Sequence, residues 1–220
     1  MATLERPHWE TVGSIMRDVL TLVDQQPFAR RVYLAGGTAL ALQIGHRRSV
    51  DLDFFSQQDE LLDDSRREIV SALRAVSHVE VREDTIGNLL LHVNGVSTGF
   101  FGYGYPVLGE VRLLTSLRLA SIADIALMKL DAIITRGARK DFIDLFFALR
   151  SMSMDDLLAL RPEKYLQFRH FEMMLLEGLT NHENSERDQM PDMLIPAEWD
   201  EIKERMLAEA RRLGSRWLDL

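Results

Sequence analysis

Cysteine is absent from this 220-residue chain. Its absence excludes disulfides and thiolate metal sites and fits a reducing cytoplasm. Also missing is any apolar run of about 18 residues or more, the length a membrane-spanning helix requires. The opening Met-Ala-Thr-Leu-Glu-Arg-Pro lacks the apolar stretch of a signal peptide. The chain is therefore expected in the cytoplasm, with no membrane partner. Positive charge is scarce, with 26 Lys and Arg against 34 Asp and Glu and a net charge of −8. Affinity for a phosphate backbone comes largely from Lys and Arg, so the net charge cuts against a broad nucleic-acid-binding surface. Two local basic groups remain: Arg30, Arg31, Arg47 and Arg48, and then Arg136, Arg139 and Lys140. Bordering one cleft, they would grip a triphosphate or the end of an RNA. The six histidines form no i, i+4 pair of the kind that binds metal. Trp9, Trp199 and Trp217 lie on helical stripes and are expected in the core rather than as base-stacking platforms.

What is present is ordinary for a globular protein: 46% hydrophobic and 27% charged residues, on a length that fits one large domain or two small ones. Val12, Ile15, Met16, Val19, Leu20 and Val23 have helical spacing over 8–24, which Pro27 ends. Residues 59–76 read as a helix with Leu62, Ile69, Leu73 and Val76 inward, and 78–84 alternate as a half-exposed strand. Asn94-Gly95 between two apolar runs predicts a hairpin with a two-residue turn. A Gly/Tyr/Pro stretch at 102–106 is read as the end of the sheet region, and no strand is expected beyond 116. Ser121 and Asp124 resemble a capping box opening a helix to about Arg136. A Gly137-Ala138 break and a second helix over 140–149 follow. Residues 154–176 carry further helical pattern, 179–193 read as irregular, and a last helix runs from about Ala197 to Leu218. The domains predicted are 1–115, an α/β core, and 116–220, a helical domain completing the active-site cleft.

The most informative stretch joins a Gly-Gly-Thr turn to an Asp-x-Asp strand. Arg31-Val-Tyr-Leu-Ala35 reads as a short buried strand. Gly36 and Gly37 permit a tight turn and a close approach to a ligand. The helix opening at Thr38 offers free N–H groups and a positive dipole end to a phosphate. Strand 50–55 then puts Asp51 and Asp53 on one face and Leu52 and Phe54 on the other. Paired carboxylates beside a phosphate turn suit a hard cation such as Mg²⁺.

These segments, with Lys129-Leu-Asp-Ala-Ile-Ile-Thr-Arg136 and Arg139-Lys-Asp-Phe-Ile-Asp-Leu145, resemble the AbiEii/AbiGii toxin family of bacterial toxin–antitoxin and phage-defence systems, within the polymerase-β-like nucleotidyltransferase superfamily. The resemblance implies an α+β fold, a mixed sheet with flanking helices followed by a helical C-terminal half. It implies a Mg²⁺- or Mn²⁺-dependent enzyme moving NMP from an NTP to an RNA end, with a tRNA as the target it suggests, or to a protein side chain. A cognate antitoxin is the implied partner. Asp51 and Asp53 become metal ligands, Gly36, Gly37 and Thr38 the phosphate cradle, and Lys129 a contact to the triphosphate. Asp141 is carried over as catalytic. Each has a plainer reading beside it. Thr38 is then an N-cap, Lys129 a lysine snorkelling to solvent, and Asp141 a first-turn acid placed for the helix dipole. Asp144 would bond Arg136 or Arg139, and His46 and Arg48 either touch phosphates or line a solvated loop. Truncating Lys129 is expected to weaken NTP binding without unfolding the chain. The superfamily usually adds a third carboxylate from a neighbouring strand. Here Thr98 or Gly99 holds that position, with Glu80 or Asp141 as substitutes. The alternative is a weak or silent nucleotide- or partner-binding module on the same fold.

Overall fold

The computed structural model describes residues 2–165 and 170–217. The chain divides into two compact units, Met1–Ser121 and Ile122–Leu220.

The first unit contains β1 (Ala2–Thr3), α1 (Ser14–Asp24), β2 (Tyr33–Ala35), α2 (Gly36–Ile44), β3 (Asp51–Ser56), α3 (Asp63–Arg74), β4 (Val79–Thr85), β5 (Asn88–Val93), β6 (Val96–Gly102), β7 (Arg112–Leu114) and β8 (Leu117–Leu119). The strands form one mixed eight-stranded sheet in the order β1-β7-β8-β2-β3-β6-β5-β4. Its centre is apolar on one face. Leu34, Leu52, Phe54, Leu89 and Phe100 are fully buried, and Phe54 stacks on Phe100 with ring centroids 5.1 Å apart. The alternation expected of 51–55 holds, with Leu52 and Phe54 buried and the two acids half-buried. Asn94 and Gly95 both take positive φ, 50° and 82°, as a tight hairpin turn between twisted strands demands.

Several expectations change. Residues 9–11 form a separate short 3-10 turn, and α1 begins only at Ser14. α3 starts at Asp63, with Leu62 and Val76 52% and 53% exposed. The inward place falls to Arg66, whose guanidinium meets Asp63, Asp84 and the Leu61 carbonyl, so pairing rather than hydrophobicity buries it. The sheet also continues past the Gly/Tyr/Pro stretch. β7 and β8 form a hairpin, and β8 enters the sheet interior parallel to β2. Three-residue strands are too short to show a period, which is why 112–119 does not announce itself.

The second unit contains α4 (Ile122–Thr135), α5 (Arg139–Ala148), α6 (Met154–Lys164), α7 (Phe171–Thr180), α8 (Glu183–Arg187) and α9 (Trp199–Trp217). Gly137, at φ +57°, makes the break between α4 and α5. Ser153 and Asp156 form a reciprocal capping box at the start of α6. α8 lies inside the stretch read as irregular. The stripe of α9 is buried at Ile202, Met206 and Leu213. All three tryptophans are half-buried instead of lying wholly in the core. The expected helix end at Leu218 lies outside the described residues. No helix among those described is long and apolar enough to cross a membrane.

Candidate active site

In the first unit, β2 delivers the chain to the turn and β3 carries the acids back beside it, with Ala35 paired opposite Asp53. Gly36 has φ +65°, and a Cβ placed there would stand 2.8 Å from Asp53 Oδ2. Glycine is needed twice over, for the dihedral and for room beside the carboxylate. α2 starts at Gly36 itself, behind an Ala35 N-cap that provides no side-chain cap. The N-cap residue thus supplies no side-chain acceptor to the first-turn amides, and a helix start of this kind suits a phosphate. Gly37 and Thr38 sit inside that first turn.

Thr38 is not the N-cap. Its side chain is buried and its hydroxyl donates to the Asp51 carbonyl, with Ser49 Oγ 2.8 Å away. Ser49 Oγ in turn lies 3.4 Å from Asp51 Oδ1. Thr38 and Ser49 thus fasten the helix start to the start of β3 and fix where Asp51 stands. His46 and Arg47 are buried, whereas Arg48 is exposed just ahead of the acids. Arg31, counted among the first basic group, is engaged by Glu68 at 2.5 Å and Asp59 at 3.4 Å.

The register settles the position opposite the acids. Asp51 pairs with Ser97 and Asp53 with Gly99, while Thr98 pairs with Leu52 on the other face. A Cβ at Gly99 would lie 2.6 Å from the Phe101 ring, so an aromatic edge occupies the place of a third carboxylate. Glu80 does not replace it. β4 lies three strands from β3, about 14 Å at ordinary strand spacing. Among the described residues no three His, Cys, Asp or Glu side chains gather to hold a metal ion. Two carboxylates still fit Mg²⁺, which is usually held by one or two carboxylates together with substrate phosphates.

In the second unit, Lys129 of α4 and Asp141 and Asp144 of α5 form a buried charged cluster. Lys129 Nζ lies 2.9 Å from Asp141 Oδ1 and 2.7 Å from Asp144 Oδ2. Both carboxylates are fully buried and the lysine is 4% exposed, which rules out snorkelling. Arg136 completes the cluster, Nε to Asp141 Oδ2 and Nη2 to Asp141 Oδ1, each at 2.8 Å. Burial by itself would discharge Lys129, but Asp144 and Asp141 outweigh it and its pKa is raised. Burial likewise opposes the charge on Asp141, and the hydrogen bonds and charges of Arg136 and Lys129 reverse it to a lowered pKa. Asp144 pairs with Lys129. Arg139 instead donates to the Ser185 carbonyl at 2.8 Å and lies over the Trp199 ring. Truncating Lys129 cannot be neutral for folding, because it takes a cation from two buried carboxylates.

One buried pair was not foreseen. Lys164 Nζ meets Asp124 Oδ1 at 2.8 Å with both side chains fully buried. Desolvation leaves the Lys164 pKa lowered despite Asp124. The only sequence signal was a lysine near the end of a helix, which ordinarily marks solvent.

A protein of Aquifex aeolicus (strain VF5), described as uncharacterized protein aq_aa25, is 33% identical over 194 residues, 86% of this chain and 90% of that protein. Among solved structures, MenT4, a nucleotidyltransferase toxin of Mycobacterium tuberculosis H37Rv, is similar in fold with TM-score 0.55 at 15% identity, over 90% of this chain and 86% of that one. JHP933 of Helicobacter pylori matches with TM-score 0.52 at 16% identity, over 94% and 95%. The family model described as "Nucleotidyl transferase AbiEii toxin, Type IV TA system" matches residues 19–100 and 104–218. Coverage of nearly the whole chain, including the Gly-Gly turn, the paired acids of β3 and the charged helices, places this protein in the AbiEii nucleotidyltransferase toxin family, and it is a nucleotidyltransferase.

Proposed function

We propose that the protein transfers NMP from an NTP to an RNA acceptor, a tRNA end being the target the family resemblance suggests, and that a cognate antitoxin restrains it in the cytoplasm. One observation carries the reading. Asp51 and Asp53 share a sheet face beside a helix start whose N-cap Ala35 adds no side-chain cap and whose Gly36 leaves room for the Asp53 carboxylate. The Gly36–Thr38 turn binds the β- and γ-phosphates through its amides, and exposed Arg48 adds charge at its rim. Asp51 and Asp53 would hold Mg²⁺ or Mn²⁺, which would neutralise triphosphate charge and favour ionisation of the attacking hydroxyl. Ser49 and Thr38 keep Asp51 in place. Within the second unit, Lys129 and Asp141 form with Arg136 and Asp144 one preorganised charged cluster. The acceptor oxygen forms a bond to the α-phosphorus as the bond to the bridging oxygen breaks, and pyrophosphate leaves.

The test incubates the protein with each labelled NTP, Mg²⁺ and total cellular RNA. Label should enter RNA with the wild type and not with Asp53→Asn. A second reading is a weak or silent nucleotide-binding module, which the Phe101 ring beside Gly99 favours. Binding of NTP with no transfer to RNA or protein would select it.

A further inference from the structure

The buried cluster contains two cations and two anions, so it carries no net charge toward a ligand. Its parts differ in what they present. Asp144 and Asp141 expose nothing, and Lys129 almost nothing. The Asp141 oxygens already accept from Lys129 and twice from Arg136. None of these three can touch a substrate without giving up a buried partner, at the cost of an uncompensated charge. Arg136 alone reaches outward, with 56% of its side chain exposed.

Its position is fixed from both sides. Arg136 follows the last residue of α4 and precedes Gly137, which has φ +57°, and Asn184 Nδ2 donates to the Arg136 carbonyl at 2.9 Å. The guanidinium is gripped along one edge by Asp141. A cavity of about 230 Å³ opens beside it, lined in part by Thr135, Arg136, Glu177, Asn181 and Asn184. A guanidinium held flat by a carboxylate is a directional donor matched to phosphate oxygens. The neighbouring carboxylate and amides suit the hydroxyl and amino groups that accompany a nucleotide phosphate.

We propose that Arg136 is the residue of this cluster that contacts substrate, binding a phosphate of the NTP or of the acceptor RNA, and that Asp141 is a positioning residue that aims it. The proposal rests on the transferase reading and refines it: Lys129 stabilises Asp141, and Asp141 orients Arg136. Asp141 fixes the plane of the guanidinium and so the direction of its donors, and lysine, a compact charge without that planar fork, does not replace Arg136.

The test titrates full-length wild type, Arg136→Gln, Arg136→Lys and Asp141→Asn with each NTP in Mg²⁺, and separately with a tRNA mixture. Arg136→Gln should weaken one arm by about 10- to 100-fold, the scale of charge-assisted hydrogen bonds. Arg136→Lys should lose nearly as much. Loss in the NTP arm assigns a nucleotide phosphate, and loss in the RNA arm assigns the acceptor. Adding Asp141→Asn to Arg136→Gln should weaken binding no further, since both changes remove the same contact. Wild-type affinity of Arg136→Lys or Arg136→Gln in both arms overturns the proposal, as does a wild type that binds neither probe. If Asp141→Asn does not fold, the two Arg136 variants decide alone. Absence of label transfer to RNA or protein by the wild type would sink the transferase reading and leave this binding result standing by itself.

Discussion

Replacing Lys129 with methionine keeps the length of the side chain and removes the charge that Asp141 and Asp144 share. Both carboxylates are fully buried, so water cannot take the place of the ammonium. Breaking a buried pair from one side typically costs about 3–5 kcal/mol. At about 2–4 °C per kcal/mol for a chain of this size, Tm should fall by roughly 6–20 °C at pH 7. The pH dependence separates an electrostatic loss from a packing loss. In the wild type the Asp141 pKa is lowered, so its contribution is present above the ordinary value of 3.8 and lost as pH falls through the folded value. In Lys129→Met the neighbouring buried carboxylates lose a cation, and their pKa values move upward. A carboxyl raised in the folded state gains stability as pH falls, so the gap to wild type should narrow between pH 7 and pH 5. Lys129→Met combined with Asp144→Asn should recover part of the loss at neutral pH. Melting followed by circular dichroism across that range is the assay. A Tm within about 2 °C of wild type, or a gap that widens in acid, would refute the reasoning.

Gly36→Ala imposes a Cβ on a left-handed residue beside Asp53; it should cost about 1–2 kcal/mol of stability, and transfer should fall further than the Tm, as paired melting and label assays would register. Asp53→Asn should abolish the part of the NTP-induced Tm rise that needs Mg²⁺ or Mn²⁺ and cut transfer by about 10²–10³-fold or more; an unchanged metal-dependent shift would place the ion elsewhere. Gly99→Asp alone should destabilise because its Cβ meets Phe101, whereas Gly99→Asp with Phe101→Ala should fold and bind Mn²⁺ more tightly than wild type, read by titration; equal affinity would show that this position does not face the ion.

Local chemistry was legible wherever a residue's role depends on its near neighbours in sequence. The alternation of 51–55 sets which acids share a face, Asn94-Gly95 sets a turn, and the stripe of the last helix sets its buried side. The mixed α+β class follows from these periods, and the ordered segments around Gly36, Asp51, Lys129 and Asp141 identify the family. What the sequence could not decide depends on partners distant along the chain. β7 and β8 are too short to carry a period and exist because the sheet accepts them. The identity of the residue opposite Asp53 required the β3–β6 register, since a slip of one residue would have put Thr98 there. Arg66 and Lys164 look like solvent residues in sequence, because a charge is buried only when a distant carboxylate meets it. That pairing is a property of tertiary structure alone, and it makes Lys129, read in sequence as a triphosphate contact or a snorkelling lysine, the partner of two buried carboxylates.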